Sequence, residues 1–122
     1  MLFTGKATVE YGGLAGTTGA VCKYNGYYSY ALTATRNPDG TPRNPNTIIN
    51  TVGHEIGHLL GARHTADIPN GSPCLSVPIY TDDLMNMGDD TNPNMGFHEC
   101  AKREMNWHLW FHNSCLVQAG CN

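Results

Sequence analysis

The chain has 122 residues, 40% of them hydrophobic and 14% charged, with a formal net charge of -3. That length allows at most one domain with a modest core, and the absence of a basic run argues against nucleic acid as a partner. No apolar stretch approaches the roughly 20 residues needed to cross a bilayer, so no membrane span is expected.

In chain order, Leu2 to Thr8 has strand character and ends before the turn signal Tyr11-Gly12-Gly13. Leu14 to Cys22 (LAGTTGAVC) is small and glycine-rich. Such a stretch fills a core poorly but lets another backbone approach closely. Tyr27 to Thr35 (YYSYALTAT), aromatic and β-branched, predicts a strand. A turn at Asn37-Pro38-Asp39-Gly40 follows, continued by a loop from Pro42 to Pro45. Ile49, Val52, Ile56, Leu59 and Leu60 then recur at helical spacing and predict a helix from Asn46 to Leu60 with one buried stripe. Residues 65–98 hold four of the seven prolines and predict mostly irregular structure. A last helix is expected from Cys100 to His112, with Trp107, Trp110 and Phe111 packing it on the core.

Cys22, Cys74, Cys100, Cys115 and Cys121 are widely spaced with no CxxC pair, which favours disulfides and an oxidising compartment over a thiolate zinc knuckle. The sequon Asn70-Gly71-Ser72 agrees with a secreted or extracellular location. The odd count leaves one thiol over, and Cys121 is the candidate. The N-terminus shows no apolar core of signal-peptide length, so any targeting segment is expected to have been removed or to lie outside this chain.

The densest chemistry is HEIGHLLGARHT, residues 54–65. His54 and His58, four residues apart, share one face of a helix a single turn apart. Two imidazoles so placed can bind one ion at about 2.0–2.1 Å, the usual zinc–nitrogen distance. A third ligand requires the helix to stop, and Gly61 can adopt the left-handed conformation that ends helices and returns His64 to the same ion. Three neutral nitrogen ligands leave the fourth position of zinc open to water, as in catalytic sites. Glu55, beside the first ligand, is the candidate to take a proton from that water and deliver it to a leaving amine.

The spacing His54, Glu55, His58, Gly61, His64 matches HExxHxxGxxH and so resembles the metzincin metallopeptidases. LMNM offers Met85, with Met87 as second candidate, for the methionine turn that this clan carries beneath its zinc. The alternative for Met85 is core filler. LFTG at 2–5, GGLAG and GAVC within 12–22, YYSYALTATRN at 27–37, LMN at 84–86, Phe97, Cys100 and Cys115-Leu116 resemble the adamalysin (reprolysin, ADAM-type) branch along nearly the whole chain.

The resemblance implies an α+β, metzincin-like zincin: a partial mixed sheet, a zinc-binding active-site helix, and an irregular C-terminal subdomain with a Met-turn and a C-terminal helix. It implies one catalytic domain over 1–122, with sheet and active-site helix in 1–61 and the C-terminal subdomain in 62–122. It further implies pairing of Cys22 with Cys115 and Cys74 with Cys100, and an edge strand at Gly13, Leu14 and Ala15 that binds an extended polypeptide substrate. Thr65 departs from the branch's usual Asp, and Asp83 stands where venom-type members have a cysteine. Relatives also carry an N-terminal part ahead of this first strand. The expectation is therefore a fragment, a reduced member, or a chain completed by another segment, with an inhibitory propeptide as a further partner. Three readings share these residues: a zinc endopeptidase, a truncated zinc-containing binding module without hydrolysis, and a member of another metzincin branch, pappalysin- or matrixin-like.

His108 and His112 are also four apart but lack a carboxylate neighbour and a third ligand, so a partly solvated helix face is expected there in preference to a second metal site. Asp82, Asp83, Asp89 and Asp90 make Ca²⁺ a second candidate ion, as in many relatives, although the EF-hand pattern is absent and a solvated loop is the default.

Overall fold

The computed structural model describes residues 2–5, 12–21, 30–65, 82–86 and 91–112. Three short strands, β1 (Leu2–Thr4), β2 (Gly13–Ala15) and β3 (Ala31–Ala34), form one sheet in the order β1-β3-β2. β1 runs parallel to β3 and β2 antiparallel to it, so the sheet is mixed. Two helices follow, α1 (Pro45–Leu59) and α2 (Glu99–Phe111). The architecture is a small α+β arrangement, with α1 packed on β2 and β3. No helix among the described residues is long and apolar enough to cross a membrane.

The start of α1 follows from its sequence. Pro45 occupies the first helical turn, where its missing N–H is no loss. Asn44 caps it, its Oδ1 accepting the Asn46 N–H at 2.8 Å, a bond typically worth about 1 kcal/mol. The end is as defined. Gly61 has φ +106°, its N–H donates to His58 O at 2.9 Å, and Ala62 N–H donates to Gly57 O at 2.9 Å. These two bonds make a Schellman motif, which satisfies the last carbonyls and reverses the chain. The segment after β2 completes the cap, with Gly19 N–H on His58 O at 2.7 Å and Val21 N–H on Leu59 O at 3.1 Å.

Gly61 is needed twice over. Its φ is one L side chains rarely adopt, and a Cβ there would lie 2.7 Å from His108 Cβ. Gly61→Ala is expected to lower stability by roughly 1–3 kcal/mol, read as a lower urea midpoint with an unchanged slope. A midpoint equal to wild type would contradict this account of the turn.

The face that α1 buries differs from the expected stripe. Thr47, Asn50, Glu55 and Gly57 are its buried residues, whereas Ile49 and Ile56 are 66% and 39% exposed. The sheet beneath is built from small side chains, with Ala31, Thr33 and Ala34 buried. The inward positions of α1 are thus given to small and polar groups that have partners, and the isoleucines lie on the opposite side. Beyond α1 the buried apolar cluster is Ala62, Met85, Ala101 and Met105, with Leu60 and Phe97 packed against it.

The aromatic residues of α2 also depart from expectation. Trp107, Trp110 and Phe111 are 66%, 69% and 58% exposed, and instead of packing on the core Phe111 meets Trp107 at a tilt and Trp110 edge-on. α2 attaches through Cys100, Ala101 and Met105, the positions its helical period turns inward.

Candidate metal centre

His54 and His58 project from α1, and the Gly61 turn brings His64 back to them. Their Nε2 atoms form a nearly equilateral triangle: His54 to His58 3.0 Å, His58 to His64 3.0 Å, and His54 to His64 3.1 Å. Among the described residues this is the group of three able to hold a metal ion.

Two of the rings have their tautomer set by main-chain carbonyls. His54 Nδ1–H donates to Leu84 O at 2.5 Å, and His58 Nδ1–H donates to Ala62 O at 2.8 Å. A carbonyl can only accept, so the neutral rings present bare lone pairs at Nε2. Two lone pairs 3.0 Å apart repel unless positive charge lies between them. Ligands sharing one ion at about 2.0–2.1 Å stand about 2.8–3.4 Å from one another at angles between right and tetrahedral. The triangle fits a cation.

Burial is the main reason the His54 pKa falls from 6.5 to about 4, with the neighbouring His58 and His64 pushing the same way. The Leu84 carbonyl and Asp83 push back. His54 is therefore a neutral donor at physiological pH. In metal-free protein the unfolded chain binds this proton as pH falls through about 6.5, while the folded chain resists until about 4. The unfolded state is then the more protonated one, so unfolding free energy is expected to decline as pH drops across that window. Urea titrations of metal-free protein at several pH values check this, and a flat profile would count against a buried neutral His54.

Glu55 lies beside the triad and is buried. Burial raises its pKa, opposed by the Ala15 N–H that donates to it and by the charge on His64. A carboxyl whose pKa is raised by burial holds a proton more readily than a free one, which suits it to pass a proton on as well as to accept it. The helix face carrying it sits directly under β2. A Cβ on Gly13 would lie 2.5 Å from Thr51 Cγ2 and 2.6 Å from Glu55 Oε1, so only glycine lets the strand pass this close.

β2 forms one edge of the sheet. Gly12 O accepts from Ala34 N–H at 2.8 Å, and Gly16 N–H donates to Tyr30 O at 3.0 Å. Main-chain groups alternate along a strand, so those of Gly13 and Ala15 face away from β3. Arg43 fastens this edge by donating to Gly12 O at 3.0 Å. Gly13, Leu14 and Ala15 line an open cleft of about 770 Å³ together with the three histidines, Glu55 and Leu84. Leu14 is 52% exposed. The expected ligands, the expected base and the expected edge strand therefore share one cleft.

Met85 is wholly buried below α1, and a Cβ on Gly57 would lie 2.6 Å from its Sδ. Its carbonyl accepts Thr65 N–H at 3.0 Å. Met87 lies outside the described residues. Cys100 is buried and disulfide-bonded. Cys22, Cys74, Cys115 and Cys121 lie outside the described residues, so the pairings Cys22–Cys115 and Cys74–Cys100 stay expectations. His108 Nε2–H donates to Val21 O at 3.1 Å, an anchor for α2. Asp82 accepts from His98 at 3.0 Å, while Asp89 and Asp90 lie outside the described residues.

Two contributions escaped the sequence reading. Glu104 on α2 takes Arg63 N–H at 2.9 Å and the Arg63 side chain at 2.8 and 3.0 Å, which ties the loop carrying His64 to α2. Asp83 accepts from Thr65 Oγ1 at 2.6 Å. The only sequence signal for this second pair was that both positions depart from the adamalysin pattern.

The family model for Metallo-peptidase family M12B Reprolysin-like matches residues 1–65, which is 65 of the 122 residues and includes the three histidines and Glu55. Comparison with curated proteins and with solved structures returned no match. With three convergent imidazoles on α1 and its turn, and the matching region extending over β1, β2, β3 and α1, the chain belongs to the reprolysin-like M12B metallopeptidases.

Proposed function

We propose that the protein is a zinc-dependent endopeptidase that hydrolyses extended polypeptides outside the cytosol. The observation that carries this reading is the convergence of three Nε2 atoms within 3.1 Å of one another, beside a buried carboxyl and under a strand edge. His54, His58 and His64 would hold the ion. When bound, zinc supplies a Lewis acid for the scissile carbonyl and lowers the pKa of an attacking water.

The rest of the work falls to the chain itself. Glu55 accepts a proton from the water and passes it to the departing amine, for which its burial-raised pKa is suited. The outward main-chain groups of Gly13 and the outward carbonyl of Ala15, whose N–H is taken by Glu55, receive the substrate as an added strand, so that binding reads backbone more than side chain. Exclusion of water by Leu14 and Leu84, which line the same cleft, would strengthen these bonds. Met85 supports the floor of the centre and is not a ligand. A secreted or cell-exterior setting is supported by the disulfide at Cys100 and by the cysteine spacing.

The test is cleavage of a mixed quenched-peptide library by zinc-loaded protein. Cleavage that disappears with a chelator and returns with zinc is the expected result. Folded, zinc-loaded protein that cleaves nothing would overturn the peptidase reading in favour of a non-hydrolytic binding module.

A further inference from the structure

Asp83 is 2% exposed, and both of its carboxylate oxygens are in use. Oδ2 accepts Thr65 Oγ1–H at 2.6 Å, and Oδ1 accepts Met85 N–H at 3.1 Å. The Asp83 carbonyl takes Asn86 N–H at 3.0 Å, closing a turn over residues 83–86. An aspartate bonding the N–H two residues ahead is a local device for holding such a turn. The carbonyl that the turn presents is that of Leu84, which receives His54 Nδ1–H.

The other bond runs to the far side of the centre. Thr65 follows His64 directly, and its own N–H donates to Met85 O at 3.0 Å. One carboxylate therefore references both outer members of the triad: His54 through Leu84 O, and His64 through the backbone of Thr65. The turn has a further tether, since Leu84 N–H donates to Gly96 O at 2.8 Å and Gly96 N–H to Asp82 O at 2.9 Å. Loss of the Asp83 side chain should thus leave the turn in place while loosening its alignment.

We propose that Asp83 and Thr65 act as one positioning unit that sets the geometry, and hence the affinity, of the His54–His58–His64 metal centre. This rests on the zinc reading above for what the centre holds. Neither residue belongs to the group that would hold the ion. Groups that orient ligands in this way typically change metal affinity by about 10–100-fold when removed. A 2.6 Å bond to a carboxylate is of the short, charge-assisted kind, so the hydroxyl of Thr65 is the specific requirement at that position.

The test compares wild type, Thr65→Ser, Thr65→Val, Asp83→Ala and the double variant Thr65→Val/Asp83→Ala in the full chain. Zn²⁺ affinity is measured by competition with a chromophoric chelator, and ligand geometry by the visible spectrum of the Co²⁺-loaded protein. Far-ultraviolet circular dichroism reports folding in parallel. Thr65→Val should weaken Zn²⁺ binding about 10-fold and Asp83→Ala up to about 100-fold, with altered Co²⁺ bands. Thr65→Ser should restore wild-type behaviour. The double variant should bind no more weakly than Asp83→Ala alone, because both changes break the same link.

Variants that fold and match the wild type in affinity and spectrum would overturn this inference while leaving the zinc reading intact. Reduced stability with unchanged affinity and bands would do the same. A wild-type chain that binds no metal would overturn both. If Asp83→Ala fails to fold, Thr65→Val, which removes one hydroxyl at nearly constant volume, decides alone.

Discussion

Glu55→Gln is expected to lower peptide cleavage by about 10²–10⁴-fold while leaving zinc bound and the fold unchanged. Glutamine has nearly the volume of glutamate and can still accept the Ala15 N–H that now meets the carboxyl. It can also remain buried, where α1 places residue 55. What it lacks is a carboxyl that can gain and lose a proton. The diagnostic is the split between turnover and metal content, measured on the same preparation. Zinc retained with turnover lost would identify Glu55 as the proton carrier. Zinc lost together with turnover would make it a support of the centre instead.

Zinc is expected to stabilise the folded chain strongly, and His58→Ala to abolish most of that gain. At a hundredfold excess over its dissociation constant, a ligand confined to the folded state adds about 2.7 kcal/mol, and about 4.1 kcal/mol at a thousandfold excess. In a domain of this size that corresponds to a rise of roughly ten degrees or more in the unfolding temperature. The physical source is local. Nε2 lone pairs of His54 and His58 face each other at 3.0 Å, a costly arrangement without a cation and a favourable one with it. His58→Ala removes one lone pair and one ligand together. A scan with and without zinc checks this, and an unchanged zinc-induced shift in His58→Ala would mean that the ion binds elsewhere.

Local features of this protein were legible in the order of its residues. A four-residue spacing places His54 and His58 on one helix face whatever surrounds it, and Gly61 in the left-handed region ends that helix for reasons internal to the backbone. Both ends of α1 came within one residue of expectation, since Asn44, Pro45 and Gly61 act within a turn of themselves. The close pass of a glycine-rich strand was legible too, because Gly13 can approach α1 where a side chain could not.

Contacts between distant parts of the chain were not legible. Helical spacing showed that Ile49 and Ile56 share a face but could not tell which face the sheet would cover. A sheet of alanines and threonine can lie against the polar side of α1 because its polar groups have partners outside the sheet: Asn50 donates to Asn92 O and Thr51 to Thr47 O one turn back on the helix. The same limit hid the aromatic ledge of α2, where inward positions went to Cys100, Ala101 and Met105.

The supports of the centre show the division most clearly. The three histidines and Glu55 sit within eleven residues of one another, so the sequence alone picked out the candidate metal site and its candidate base. Their orientation comes from Leu84 O, Asp83 and Glu104, which reach His54, Thr65 and Arg63 across separations of 30, 18 and 41 residues. Hydrogen bonds over such distances depend on how the chain closes its loops, which no local period encodes. Sequence determined which atoms could bind a metal; tertiary structure decided which lone pairs point inward and what holds them there.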